Sequence, residues 1–215
     1  RLIMTAVTTA MTLLPLAAQE MSRLTDSLQY RAETQATIAD CDHTPLWLNA
    51  NRYGLSAVKG SYAYRRGALQ RPLSADDGRR WGIGYGADVA VATGMTSTLV
   101  VQQAYIEARW LKGVLTLGAK EQPMELKNPE LSSGSQTLGI NARPLPQIRL
   151  EMPEFWAVPG TKGWFSFKAH IAYGMYTDNR WQRNWNAGTK NIYTQNSLFH
   201  SKALLMKIGN EKKFP

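Results

Sequence analysis

Cysteine is almost absent: Cys41 stands alone among 215 residues. A lone thiol excludes an internal disulfide, a CxxC redox pair and a Cys-rich zinc site. His43, His170 and His200 are too scattered to form a metal site, and HExxH does not occur. GxSxG and the P-loop are missing as well. Gly82-Ile83-Gly84-Tyr85-Gly86 only imitates a phosphate cradle, because small residues alternate there with large ones as on a barrel strand. The chain is therefore read as a non-enzyme without cofactor or metal. No stretch reaches the ~18 apolar residues of a spanning helix. Acidic residues are the minority, 16 against 25 Lys and Arg, leaving a formal net charge of +9. That balance suits nucleic acid, an anionic membrane surface or an acidic ligand. Because the basic residues are spread over strand-like runs rather than gathered on a helix, nucleic acid is set aside.

What is present begins with an export signal. Arg1 precedes the apolar stretch from Leu2 to Leu16, and the small pair Ala17-Ala18 comes before Gln19-Glu20. Residues 1–18 are read as a signal peptide with a truncated start, 19–43 as an N-terminal linker, and 44–215 as the N-terminal part of a β-barrel. A chain that opens on Arg1 and stops just after a strand reads as a fragment.

The barrel reading rests on period-two alternation. Trp81, Ile83, Tyr85, Val89 and Val91 share one side, while Gly82, Gly84, Gly86, Asp88 and Ala90 share the other. From 98 to 110, Val100, Ala104, Ile106, Ala108 and Trp110 oppose Gln103, Tyr105, Glu107 and Arg109. A turn at Lys112-Gly113 would pair Leu111 with Val114, Trp110 with Leu115, Ala108 with Leu117 and Ile106 with Ala119. The run 137–152 places Leu138, Ile140, Ala142, Ile148, Leu150 and Met152 on one face, with Pro144 and Pro146 predicting a bulge or an unpaired edge. Phe165, Phe167, Ala169, Ile171, Tyr173 and Met175 alternate in 163–176, 199–209 is a further strand, and 46–52 and 58–69 are weaker ones. A soluble sandwich would alternate too. The connections favour a membrane barrel, because the long ones, 122–136 and 177–198, fall on one end and the short turn 112–113 on the other. Trp81 and Trp110 then mark the short-turn rim, where an aromatic girdle belongs.

Several extended strings also resemble a family. Thr44-Pro45-Leu46-Trp47-Leu48-Asn49-Ala50-Asn51-Arg52-Tyr53-Gly54, Gly84-Tyr85-Gly86-Ala87-Asp88, the run from Lys120 to Leu126 and the run from Ser132 to Arg143 look like the Wzi family of capsule assembly proteins in its Bacteroidetes-type form. The resemblance implies an outer-membrane β-barrel with a plugged lumen, acting as a lectin that holds or guides capsular polysaccharide at the surface of a Gram-negative cell. Family barrels have about eighteen strands and this chain about eight, so the remainder of the wall lies outside it.

Sugars present apolar ring faces beside hydroxyls, so aromatics among amides and charges are the chemistry to seek. Trp181 and Trp185 offer it in the connection 177–198. Arg109, Arg143, Arg149 and Lys168 offer positive charge on the lumen face, suited to an acidic polysaccharide. The expected partners are that polysaccharide and outer-membrane lipid, with the oligomeric state left open. A diffusion porin for anionic solutes is the alternative. An outer-membrane hydrolase would need its nucleophile and base outside this chain.

Overall fold

The computed structural model describes residues 7–13, 24–40, 42–58, 60–124, 128, 131–132, 140–177 and 196–209. Nine strands form one antiparallel sheet: β1 (Val7–Leu13), β2 (Gln29–Thr37), β3 (Tyr62–Arg71), β4 (Trp81–Thr93), β5 (Leu99–Trp110), β6 (Gly113–Ala119), β7 (Gln147–Ala157), β8 (Phe165–Met175) and β9 (Leu198–Ile208). Each strand pairs with its sequence neighbour, so the sheet is an up-and-down meander, all-β and open at both edges. This is the architecture of an arc of barrel wall. Residues 7–13, read above within the export signal, are the edge strand β1, and the linker contains β2.

Alternation decides what each face carries. Ile106, Ile148 and Leu204 are 52%, 59% and 59% exposed, and they continue a band that runs from Trp81, Ile83, Val89 and Val91 through Leu115, Leu117 and Leu150 to Ile171 and Met206. The opposite face buries Asp88, Gln102, Gln103, Glu107, Thr116, Arg149 and His170. One face is therefore largely apolar and bare, interrupted by exposed Arg65 beside Val91 and Lys202 beside Ile171, and the other is polar and covered. Exposed apolar surface on this scale marks an interaction surface.

Four expectations need correction. The hairpin turns at Leu111-Lys112, not Lys112-Gly113, and pairs Trp110 with Gly113, Ala108 with Leu115 and Ile106 with Leu117. Leu111 takes φ 55° to make that turn. Alternation fixes which face a residue occupies but is blind to a slip of two, so a shifted register satisfies the same pattern. Val114, opposite Arg109 rather than Leu111, lies on the inner face and is buried. Val100, expected outside, is also buried inside, because a bulge lets Asp88 pair with Gln103 and Val89 with Val101. The extra residue, Gln102, reverses the alternation before it, which turns Leu99 and Val101 outward.

The third correction is at 140–146, which lies off the ladder. Strand β7 starts only at Gln147, and Ile140 is buried, its carbonyl accepting the Tyr53 N–H at 2.7 Å. Pro144 and Pro146 cannot donate to a ladder, so the chain pairs only after them. Leu138 lies outside the described residues. Finally, 46–52 is not a strand: Leu46–Asn49 forms the short helix α1 after Pro45, and the Asn49 amide donates to Thr44 Oγ1 at 2.7 Å.

The connections alternate between the two ends, and the three longest share one of them. Residues 14–28, 72–80, 111–112 and 158–164 join strands at one end, and 38–61, 94–98, 120–146 and 176–197 join them at the other. The core sits toward that second end, on the inner face. There Leu55 from the 38–61 connection packs with Tyr62, Tyr64, Ala90, Ala92 and Val100. The long connection thus folds back over the sheet.

Candidate functional site

The inner face of β2 to β6 is organised around Arg66. Its guanidinium donates from Nε to Asp88 Oδ1 at 2.8 Å and from Nη2 to Glu121 Oε1 at 3.0 Å, while Glu33 stands 3.8 Å away. Glu121 also accepts from Gln102 Nε2 at 3.0 Å, and its backbone N–H donates to Gln103 Oε1 at 2.9 Å. The bulge matters here, because it turns Gln102 and Gln103 to the same face and lets both hold Glu121. Beside them, the Gln35 side-chain Oε1 accepts from Tyr64 Oη and Arg52 Nη1, both at 2.8 Å. Charge-assisted and mutually polarised, such a network fixes its members in one arrangement.

Two long connections meet over this network. The Asn51 N–H donates to Asn141 Oδ1 at 2.7 Å, Asn51 Nδ2 donates to the Ser132 carbonyl at 3.0 Å, and Tyr53 Oη donates to the Gln122 carbonyl at 3.4 Å. Asn51, Tyr53 and Gly54 have φ of 59°, 49° and 70°. Non-glycine residues there are held against their preference by their surroundings, a feature that gathers at functional sites. At Gly54 a side chain has no room, since a Cβ would stand 2.7 Å from the Arg143 amide nitrogen. Burial and nearby Glu121 raise the Tyr53 phenol above its ordinary pKa, and burial lowers that of Arg143. The strings that carry the capsule-assembly resemblance lie far apart in sequence, yet Arg52, Tyr53, Asp88, Glu121, Ile140 and Arg143 from all four meet at this place.

The short-turn end has its own staple. Arg71, 2% exposed, donates to Asp76 Oδ2 at 2.8 Å and to the Ile83 carbonyl, and Asp76 accepts from Arg79 and from the Ile83 N–H as well. The Arg71 hydrogen bonds come first and the Ile83 N–H second in holding the Asp76 carboxyl far below the usual carboxylate range. A depressed pKa favours the folded state at neutral pH, fully above the ordinary value of about 3.9 and progressively less as pH falls through the folded value. Asp76→Asn is therefore expected to narrow its stability deficit against wild type as pH drops from 6 to 3, measured by denaturant titration at each pH.

Next to this staple a cavity of about 300 Å³ is lined by Leu73, Asp77, Arg109, Val114, Glu154 and Trp156 among others. It forms where β7 leaves the ladder between Met152 and Trp156, which puts Lys168 of β8 opposite the bulge in register.

The sequence-expected site residues do not gather at one point. Arg109 is at the short-turn rim, paired with Asp77 at 2.8 Å. Arg149, in β7, is paired with Glu151 at 2.6 Å. Arg143 lies at the far end beside Gly54, and Trp181 and Trp185 lie outside the described residues. Glu33, Asp88 and Glu121 also stand on the inner face, three carboxylates against the added cation Arg66. Arg66, Arg52 and Glu121 were not singled out from sequence, although Arg52 and Glu121 stand in the resemblance strings. Comparison of the chain with family models, curated proteins and solved structures finds no match. The capsule-assembly resemblance therefore rests on its strings alone.

Proposed function

We propose that this chain is part of the wall of an outer-membrane β-barrel that binds or guides a capsular or other surface polysaccharide without catalysing a reaction. One observation carries the reading: a broad exposed apolar band, broken by Arg65 and Lys202, backs a charged face that two long connections cover. A barrel strand in lipid alternates in this way. The three longest connections, 38–61, 120–146 and 176–197, share one end, which supports the same placement. The covered inner face favours a held ligand over free diffusion of solutes, and the resemblance strings favour a saccharide as that ligand. Arg143 and Lys168 are the cations suited to an acidic chain, since Arg109 and Arg149 already face Asp77 and Glu151. Trp181 and Trp185 would supply stacking.

Titration of purified capsule onto the protein at low and high salt tests this. Binding is expected to weaken with salt, because exposed charges reach only about 8 Å at physiological ionic strength, and to weaken in the Arg143→Gln/Lys168→Gln double variant. Salt-insensitive binding that disappears only with Trp181→Ala/Trp185→Ala moves the site to the outer connection. No binding together with solute conductance supports the porin.

A further inference from the structure

We infer that the short-turn rim around Trp81 and Trp110 is a binding surface for the anionic headgroups of glycerophospholipids. Register pairs Trp81 with Trp110, and their rings lie 6.0 Å apart, tilted by 31°. Both project from the apolar face, 65% and 58% exposed, beside exposed Leu111. The Arg80 carbonyl accepts the Leu111 N–H at 2.8 Å, which ties the 72–80 connection to the hairpin tip, where Arg80 precedes Trp81 and Lys112 follows Leu111. Both basic residues are exposed, and among the described residues neither side chain has a carboxylate partner. Arg79 adds a third exposed cation, shared with Asp76 at 3.1 Å. Of the rim's acidic groups, Asp76 holds Arg71 and exposed Asp77 holds Arg109, while exposed Glu154 lines the same cavity as Lys112.

The chemistry is that of an interface. Indole rings settle at headgroup depth, apolar body toward the acyl chains and N–H toward water. Cations just beyond them meet phosphate, and each contributes attraction to an anionic surface. Among the described residues, this end alone combines paired tryptophans with exposed cations at the edge of the apolar band. The site rests on the membrane reading above. It commits the short-turn end to the phospholipid leaflet and makes Arg80 and Lys112 the groups that select anionic lipid there.

Vesicles of phosphatidylcholine carrying brominated phosphatidylglycerol, brominated phosphatidylcholine or lipid A test it, read by quenching of the tryptophan emission that is lost in the Trp81→Phe/Trp110→Phe variant. Brominated phosphatidylglycerol is expected to be enriched at the pair by at least about fivefold over phosphatidylcholine, what one surface base contributes. Arg80→Gln/Lys112→Gln should still insert, shown by protease resistance, while the enrichment falls to parity. Equal quenching by both lipids in inserted wild type, a preference retained by the Gln variant, or a preference for lipid A overturns the rim and leaves the barrel standing. Failure to enter any vesicle overturns the membrane reading and the rim with it.

Discussion

Arg66→Met is expected to destabilise the protein by about 3–5 kcal/mol, the usual consequence of removing one partner of a buried ion pair. The guanidinium is the shared cation of Asp88, Glu121 and Glu33, with side-chain exposures of 3%, 18% and 12%. Without it three carboxylates face one another in a largely dry space. They must then take up protons or admit water, and either route costs folding free energy. Arg66→Lys should recover only part of the loss, because an ammonium cannot reproduce the forked contact made with both oxygens of Asp88. Arg66→Met/Asp88→Leu should be less harmful than the sum of its single changes, since each single change strands the other's charge. Urea-dependent folding of the four variants into vesicles measures this. A loss below about 1 kcal/mol for Arg66→Met would place the network in solvent-like surroundings.

Ile106→Arg comes next in size, with an expected loss of about 2–4 kcal/mol for an arginine facing lipid near the midplane. Leu204→Arg, central in β9 and equally bare, should behave alike. One residue further, Leu205 turns to the other face opposite Lys168. Leu205→Glu meets an opposite charge there, and a change of about 1 kcal/mol or less is expected. Folding into lipid, again followed by urea titration, separates adjacent positions by face rather than by hydrophobicity. Equal losses at Leu204 and Leu205 would falsify the assignment of faces.

Faces were legible from sequence because period two is imposed by the pleat itself and needs no partner. Trp81 to Val91 shows this, with Trp81, Ile83, Val89 and Val91 exposed, Tyr85 partly so, and Gly82, Gly84, Gly86, Asp88 and Ala90 buried. Those glycines also make room: a Cβ at Gly84 would stand 2.6 Å from the Glu107 carboxylate and one at Gly86 2.6 Å from the Tyr105 ring. The chain could not reveal the slip of two at Leu111-Lys112, since both registers keep the same residues outside. Nor could it reveal the extra residue at Gln102, because an amide in an apolar run reads as either face. The Arg66 network was hidden for another reason. Its members come from β2, β3, β4 and the start of the 120–146 connection, and only the folded sheet brings them within hydrogen-bond reach. Arg52 and Glu121 stood inside strings already singled out, but nothing in those strings shows that they meet.

A nitroxide scan along β5 tests the account most directly. With Cys41 replaced by serine, single cysteines at each position from 99 to 110 carry the label in outer-membrane vesicles from cells making the protein. Collision rates with oxygen, which concentrates in lipid, and with a water-soluble nickel chelate are then compared residue by residue. The structure predicts oxygen maxima at 99, 101, 104, 106, 108 and 110, with one missed beat where Gln102 and Gln103 both turn inward. Uniform exposure to the nickel chelate along the strand, or an alternation without the missed beat, would contradict it.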